Sequence, residues 1–168
     1  SSVGHLNLGR SYHKAGHLDK AIESFRTALS LSPGFSGAHH HIGVALLLQG
    51  DYVAALAAMQ QDSANLWGAV GLPMALHALG KKTESDAALA EVIRKYEKDA
   101  AYNIAYVMAY RGEADRAFEW LDKAVAYGDP GLPEIVGYPM FARITQDPRW
   151  LPFLRKIGSA PEQLAAIK

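Results

Sequence analysis

A spacing of 34 residues between Gly16 and Gly50 constrains this chain most, because each glycine interrupts stretches whose apolar side chains recur every three to four positions. That period suits two helices joined by a tight turn and repeated along the chain. Around the first glycine stand Leu8, Gly9, Tyr12, Ala21, Phe25, Ala28 and Pro33. Gly9 lets the backbone of one helix approach the other, Ala21 fits their closest crossing, Tyr12 and Phe25 fill the space between them, and Pro33 ends the second helix. Gly16 supplies the left-handed residue needed where the first helix stops, and Asp19 and Glu23 bring negative charge to the start of the second.

The same grammar returns after Pro33 with departures. Ser36 reads as an N-cap, Ile42-Gly43 take the slot of Leu8-Gly9, and Ala55 and Met59 take those of Ala21 and Phe25. Leu46 replaces the tyrosine, and Trp67 stands where a closing proline would be. Between Ser36 and Gly80 the formal charges are Asp51 and Asp62 alone, the mark of a stretch covered on both sides. Further turn glycines follow at Gly80 and Gly112. Between Trp67 and Gly80, the interior residues Gly68, Gly71 and Pro73 predict a bent or short helix ending at Leu79, since a proline removes one backbone hydrogen bond at a cost of ~3 kcal/mol. Ala88, Leu89, Val92 and Ile93 mark the next helix, and Ile104-Ala105, Met108, Ala117, Leu121 and Ala124 a fourth pair that closes at Asp129-Pro130. Beyond Gly131, prolines cut the chain into short pieces. Asp147-Pro148-Arg149-Trp150 signals a helix start, and Tyr138, Phe141, Trp150, Phe153 and Leu154 are placed to cover the last helix while Arg155 and Lys156 face water.

Leu-Gly-x-x-Tyr, then Ala-x-x-x-Phe, then Pro, resembles the signature of the tetratricopeptide repeat family, with His5 where that family usually carries tryptophan. The resemblance implies an all-α fold, a right-handed superhelical solenoid of about four helix pairs (2–35, 36–65, 66–98 and 99–130) with capping helices over 131–168. It further implies a non-catalytic scaffold for protein–protein interaction. The stretch from Asp129-Pro130-Gly131-Leu132 through Pro148-Arg149-Trp150-x-x-Phe153-Leu154 is similar to the end of such repeat regions in bacterial multidomain signalling proteins. That implies the recognition portion of a larger cytoplasmic protein whose output domain is a cyclase, a kinase or a winged helix. The chain opens Ser-Ser-Val and enters a helix almost at once, which reads as a piece of a longer protein.

Charge and composition narrow the classes. Seventeen basic against seventeen acidic side chains leave no basic footprint for nucleic acid. The absence of cysteine removes disulfide and thiolate chemistry and is consistent with a reducing compartment. The apolar run Ile42 to Leu48 is far too short for a membrane span. No phosphate-binding glycine loop and no zinc or calcium pattern is present, so the sequence points to no enzyme, metal or cofactor. Gly34-Phe35-Ser36-Gly37 is preceded by a helix, unlike a serine-nucleophile turn. Consecutive residues on a helix fan out by about 100°, so His39, His40 and His41 cannot converge on one ion; the reading is one partly buried imidazole with the rest solvated.

The stripe Tyr102, Tyr106 and Tyr110 differs, since residues four apart share a helix face and tyrosine offers rigid area with a polar tip. By register, a concave groove is lined by Arg10, His13 and Lys14, then His40, Val44 and Leu47, then Val70, Met74 and His77, then the three tyrosines. A peptide or helix with acidic and apolar side chains complements that lining. Family members that grip a C-terminal carboxylate use lysine, asparagine and arginine at inner positions where this chain has Leu6, Arg10, His40 and Val44, so chaperone-tail binding is not the expectation. Self-association as a homodimer and sensing of a small apolar ligand are the alternatives.

Overall fold

The computed structural model describes residues 1–167, and these form helices with no strand among them. The chain divides inside α6 (Lys82–Tyr96) into two compact units, Ser1–Val92 and the part from Ile93 on.

The first unit is built from α1 (Ser2–Lys14), α2 (Leu18–Leu31), α3 (Ala38–Gln49), α4 (Tyr52–Gln61), α5 (Leu66–Ala78) and the start of α6. Its pairs close where the small residues predict. A Cβ on Gly9 would lie 2.5 Å from the Phe25 ring, and one on Gly43 or Gly71 would lie 2.7 or 2.8 Å from Met59. Phe25, Met59, Ala21 and Ala55 are wholly buried, and each large apolar side chain so placed contributes on the order of 1.5–3 kcal/mol. Gly16, Gly50 and Gly80 take positive φ at the turns, with nothing near a notional Cβ, so their role is conformational.

Two expectations change. The N-cap of α3 is Gly37 with φ of 86°, and Ser36 stays exposed outside the helix. The Trp67 ring lies 3.3 Å from the Cβ that Gly37 lacks, so a side chain would have to fit beside that ring as well as tolerate a left-handed backbone. α5 ends where expected, with Leu79 as its C-cap, but of the bent and the short helix it is not the short one, since it runs 13 residues through Pro73. Asn65 holds its start by accepting from the N–H groups of Trp67 at 2.9 Å and Gly68 at 3.3 Å, and the Ser85 hydroxyl donates to the Pro73 carbonyl at 2.7 Å. Trp67 therefore opens α5 and does not close α4.

The second unit contains the end of α6, α7 (Ala101–Tyr110), α8 (Ala114–Tyr127), two 3-10 turns (Leu132–Glu134 and Pro139–Ile144), α9 (Trp150–Lys156) and α10 (Pro161–Ala165). Ala117, Ile104, Met108 and Leu121 have no exposed surface where α7 and α8 cross. Replacing Ala117 by leucine is therefore expected to overpack the crossing and destabilise this unit by about 1 to 3 kcal/mol, read from a denaturant titration. An unchanged midpoint would show the helix register to be wrong.

After α8 the chain turns back. The second 3-10 turn lies along α7, and Arg149 and Lys156, at the start and end of α9, form ion pairs with Asp115 (2.8 Å) and Asp122 (3.2 Å) of α8. Both pairs join residues 34 apart, so α9 follows α8 at the period of the repeats themselves. Arg149 also stacks over Phe118 at 4.6 Å.

Candidate recognition surface

A shared device orders the starts of α3 and α7. Asp62, just beyond α4, is buried, and its Oδ2 accepts from the His40 backbone N–H at 3.3 Å. Asp129, just beyond α8, is also buried; it accepts from the backbone N–H of Tyr102 at 3.0 Å and of Gly131 at 2.8 Å. A carboxylate at a helix N-terminus satisfies an orphan donor and suits the helix dipole. Each aspartate thereby fixes the first turn that carries the side chains of interest.

In the first unit that turn presents the histidine run. His40 is 1% exposed, and its ring sits 5.5 Å from Trp67 and 5.7 Å from His41. His41 stacks on Phe25 at 5.2 Å with rings nearly parallel, and Trp67 lies 6.3 Å beyond it. The expectation of one partly buried imidazole with its neighbours solvated is thus corrected: His40 is in the core and His41 is wedged between two aromatic rings. The run packs because α3 is covered by α1, α2, α4 and α5 together. Burial holds His40 down to about 4, partly opposed by a hydrogen bond to the Trp67 backbone, and His13 adds to the lowering. His41 is lowered by burial first, then by His40, Arg10 and His13. Burial also lowers His13.

The twelve residues assigned to a groove separate into two sets. Arg10 and Lys14 are exposed, and His13, His77 and Tyr110 are half-buried. His40, Val44, Leu47, Val70 and Met74 are buried in the first unit, where they join helices to one another and offer little area to a ligand. Tyr102 and Tyr106 are buried in the second at 5% and 2% exposure, so the reading of the stripe as half-wet surface is corrected. They do share one face, ring to ring at 5.7 Å, but the returning chain covers it. Tyr138 and Phe141 pack on Tyr106 at 5.1 and 6.2 Å, Phe141 packs on Tyr102 at 5.6 Å, and Gly131 passes so near that a Cβ would lie 2.5 Å from the Tyr102 ring. Arg143 reaches the third tyrosine, lying 5.0 Å over the Tyr110 ring and donating to its carbonyl. Burial pushes the Tyr106 hydroxyl up to about 12 and raises those of Tyr102 and Tyr138 as well.

In the first unit Arg10 and Lys14 of α1 are exposed, His13 and His41 are half-buried, and Trp67 is 36% exposed. Trp67, which by sequence stands only where a closing proline would be, packs against two of the three consecutive histidines, His40 and His41, a nearness that no local spacing signals. On α2, Asp19, Glu23 and Arg26 line an open depression of about 520 Å³, bridged by the Gln49 amide donating to Asp19 at 2.6 Å, and its charges of both signs single out no ligand. Among the described residues no three histidine or acidic side chains are placed to hold a metal ion, and no helix is long and apolar enough to cross a membrane.

Residues 6–65 match the family described as tetratricopeptide repeat. No curated protein sequence is significantly similar. Among solved structures the chain is similar to a thermophilic TPR protein of Thermus thermophilus, at 24% identity over 99% of this chain and 93% of that one, with a TM-score of 0.67. It is also similar to MamA (21% identity, 82% of each chain, TM-score 0.54) and to YrrB, described as a TPR protein with an unusual peptide-binding site (18% identity, 99% of this chain and 91% of that one, TM-score 0.52). At such identities the likeness is one of fold.

Proposed function

We propose that this tetratricopeptide-repeat chain is a non-catalytic recognition scaffold whose first unit takes a peptide or helix of a partner protein over Trp67, His41 and the basic end of α1. The observation that carries this reading is a half-exposed indole set against a packed imidazole, with two exposed cations, Arg10 and Lys14, on α1 of the same unit. Rigid aromatic area beside cationic side chains favours a segment with apolar and acidic side chains. The C-terminal resemblance supports a place for this scaffold in a larger cytoplasmic signalling protein of bacteria.

Selection from a displayed library of random peptides against the intact chain tests the reading. Enriched peptides should combine acidic with aromatic or aliphatic residues. Trp67→Ala should weaken them tenfold or more and Lys14→Ala about threefold or less, because a central anchor commonly carries ~2 kcal/mol and a rim charge little. Equal affinity for parent and Trp67→Ala, with the fold intact, would remove this surface from the account.

Self-association has one observation of its own. α4 carries no charged side chain, and Val53 on it is 71% exposed beside half-exposed Tyr52. Light scattering that shows a dimer, with Val53→Lys restoring the monomer, would favour that second reading.

A further inference from the structure

All seven histidines of the chain lie between residues 5 and 77, within the first unit, and the second unit has none. Histidine is the side chain whose ordinary titration falls between pH 5 and 8, so mild acid addresses one unit of this protein and not the other. Within the first unit the imidazoles are gathered rather than spread. His13 comes from α1 and His40 and His41 from α3; His13 Nε2 and His40 Nδ1 are both buried without a hydrogen-bond partner, and the His41 ring fills the gap between Phe25 and Trp67.

The titratable neighbours of this cluster oppose its protonation. α1 contributes Arg10 as well as His13, and α3 adds half-buried His39 beside the pair. The loop after α4 contributes a carboxylate, Asp62, already committed to the His40 backbone N–H. α2 and α5 face the cluster with the uncharged rings of Phe25 and Trp67, and His77 stands ten positions from Trp67 toward the far end of α5. Protons gained here would set imidazolium groups against one another and against Arg10. We propose that the junction of α1, α3 and α5 is an acid-responsive element: as its imidazoles gain protons, α1 separates from α3 and exposes the Phe25 and Trp67 rings, while the second unit stays folded.

The direction follows from which state binds the proton. His13, His40 and His41 are held neutral in the folded unit below the ordinary histidine range, so the opened form takes up protons first. Packing at this junction is therefore complete above the ordinary value near 6.5 and is lost as pH falls from there toward about 4.

Hydrogen exchange on the full chain, corrected for the intrinsic pH dependence of amide exchange, tests the proposal. From pH 7 to pH 5, protection in α1 and α3 should fall by tenfold or more, while protection in α8 changes less than threefold. Equal loss in both units, or no loss in α1, would overturn it. His41→Gln, which keeps a polar group but cannot gain the proton, should flatten the pH dependence of α1. If that variant fails to fold, the ring-proton NMR titration of the parent decides: at least one histidine should titrate below pH 5, and seven midpoints near 6.5 would overturn the proposal.

Discussion

Gly68→Ala is expected to destabilise the first unit by about 3 kcal/mol, although alanine is intrinsically the better helix former. A Cβ at this position would lie 2.2 Å from the carbonyl carbon and oxygen of Asp62 and 2.6 Å from the Ser63 nitrogen. These are backbone atoms, so no side-chain rotation relieves the clash. The displaced segment also carries the Asp62 carboxylate that holds the start of α3 and the Asn65 side chain that holds the start of α5. Gly9→Ala is the informative comparison, since its 2.5 Å clash is with the Phe25 ring, a side chain with some freedom to shift. Gly68→Ala should therefore be the more damaging of the two in a chemical denaturation series. A loss below about 0.5 kcal/mol would mean that the α4–α5 connection is not as close as described.

Phe141→Ala should cost the second unit about 3 to 5 kcal/mol. Phe141 has no exposed surface and touches the rings of Tyr102, Tyr106, Tyr138 and Trp150, so it joins α7, the returning 3-10 turn and α9. Its removal leaves a cavity that three separate segments would have to collapse to fill. The check is thermal unfolding followed by near-ultraviolet circular dichroism, which reports the tyrosine and tryptophan environment. A variant that melts with the parent would show residues 131–156 to be a loose tail and not a covering for the last repeat.

The paired helices were legible because their cause is local and steric. Gly9 opposite Phe25 and Gly43 opposite Met59 are close approaches that a Cβ could make only by displacing the facing side chain, and a fixed spacing announces them. The buried alanines at the crossings follow from the same constraint. The start of α3 was less legible, because serine and glycine both begin helices and Gly37 is favoured by its left-handed backbone together with the Trp67 ring, 30 residues further on. Pro73 misled for a related reason: the Asn65 side chain caps the start of α5 and the Ser85 hydroxyl donates to the Pro73 carbonyl, and together they sustain a helix that the proline alone would shorten. The tyrosine stripe was placed on one face correctly, but periodicity tells which side chains share a face and not what lies against it. Five prolines in the last 38 residues broke the helical period there, so Tyr138 and Phe141 read as a cover for the last helix while nothing aimed them at Tyr102 and Tyr106.

That covering decides where recognition can occur, and one measurement addresses it directly. A peptide selected against the intact chain is added at saturation, and hydrogen exchange is compared with and without it at pH 7. The expected footprint is slowed exchange in α1 and in the first turns of α3 and α5, around Arg10, His41 and Trp67, with α7 unchanged because Tyr102 and Tyr106 are already enclosed. Slowed exchange confined to α7 and the segment from Gly131 to Ile144, with the first unit unaffected, would contradict the account and return recognition to the tyrosine face.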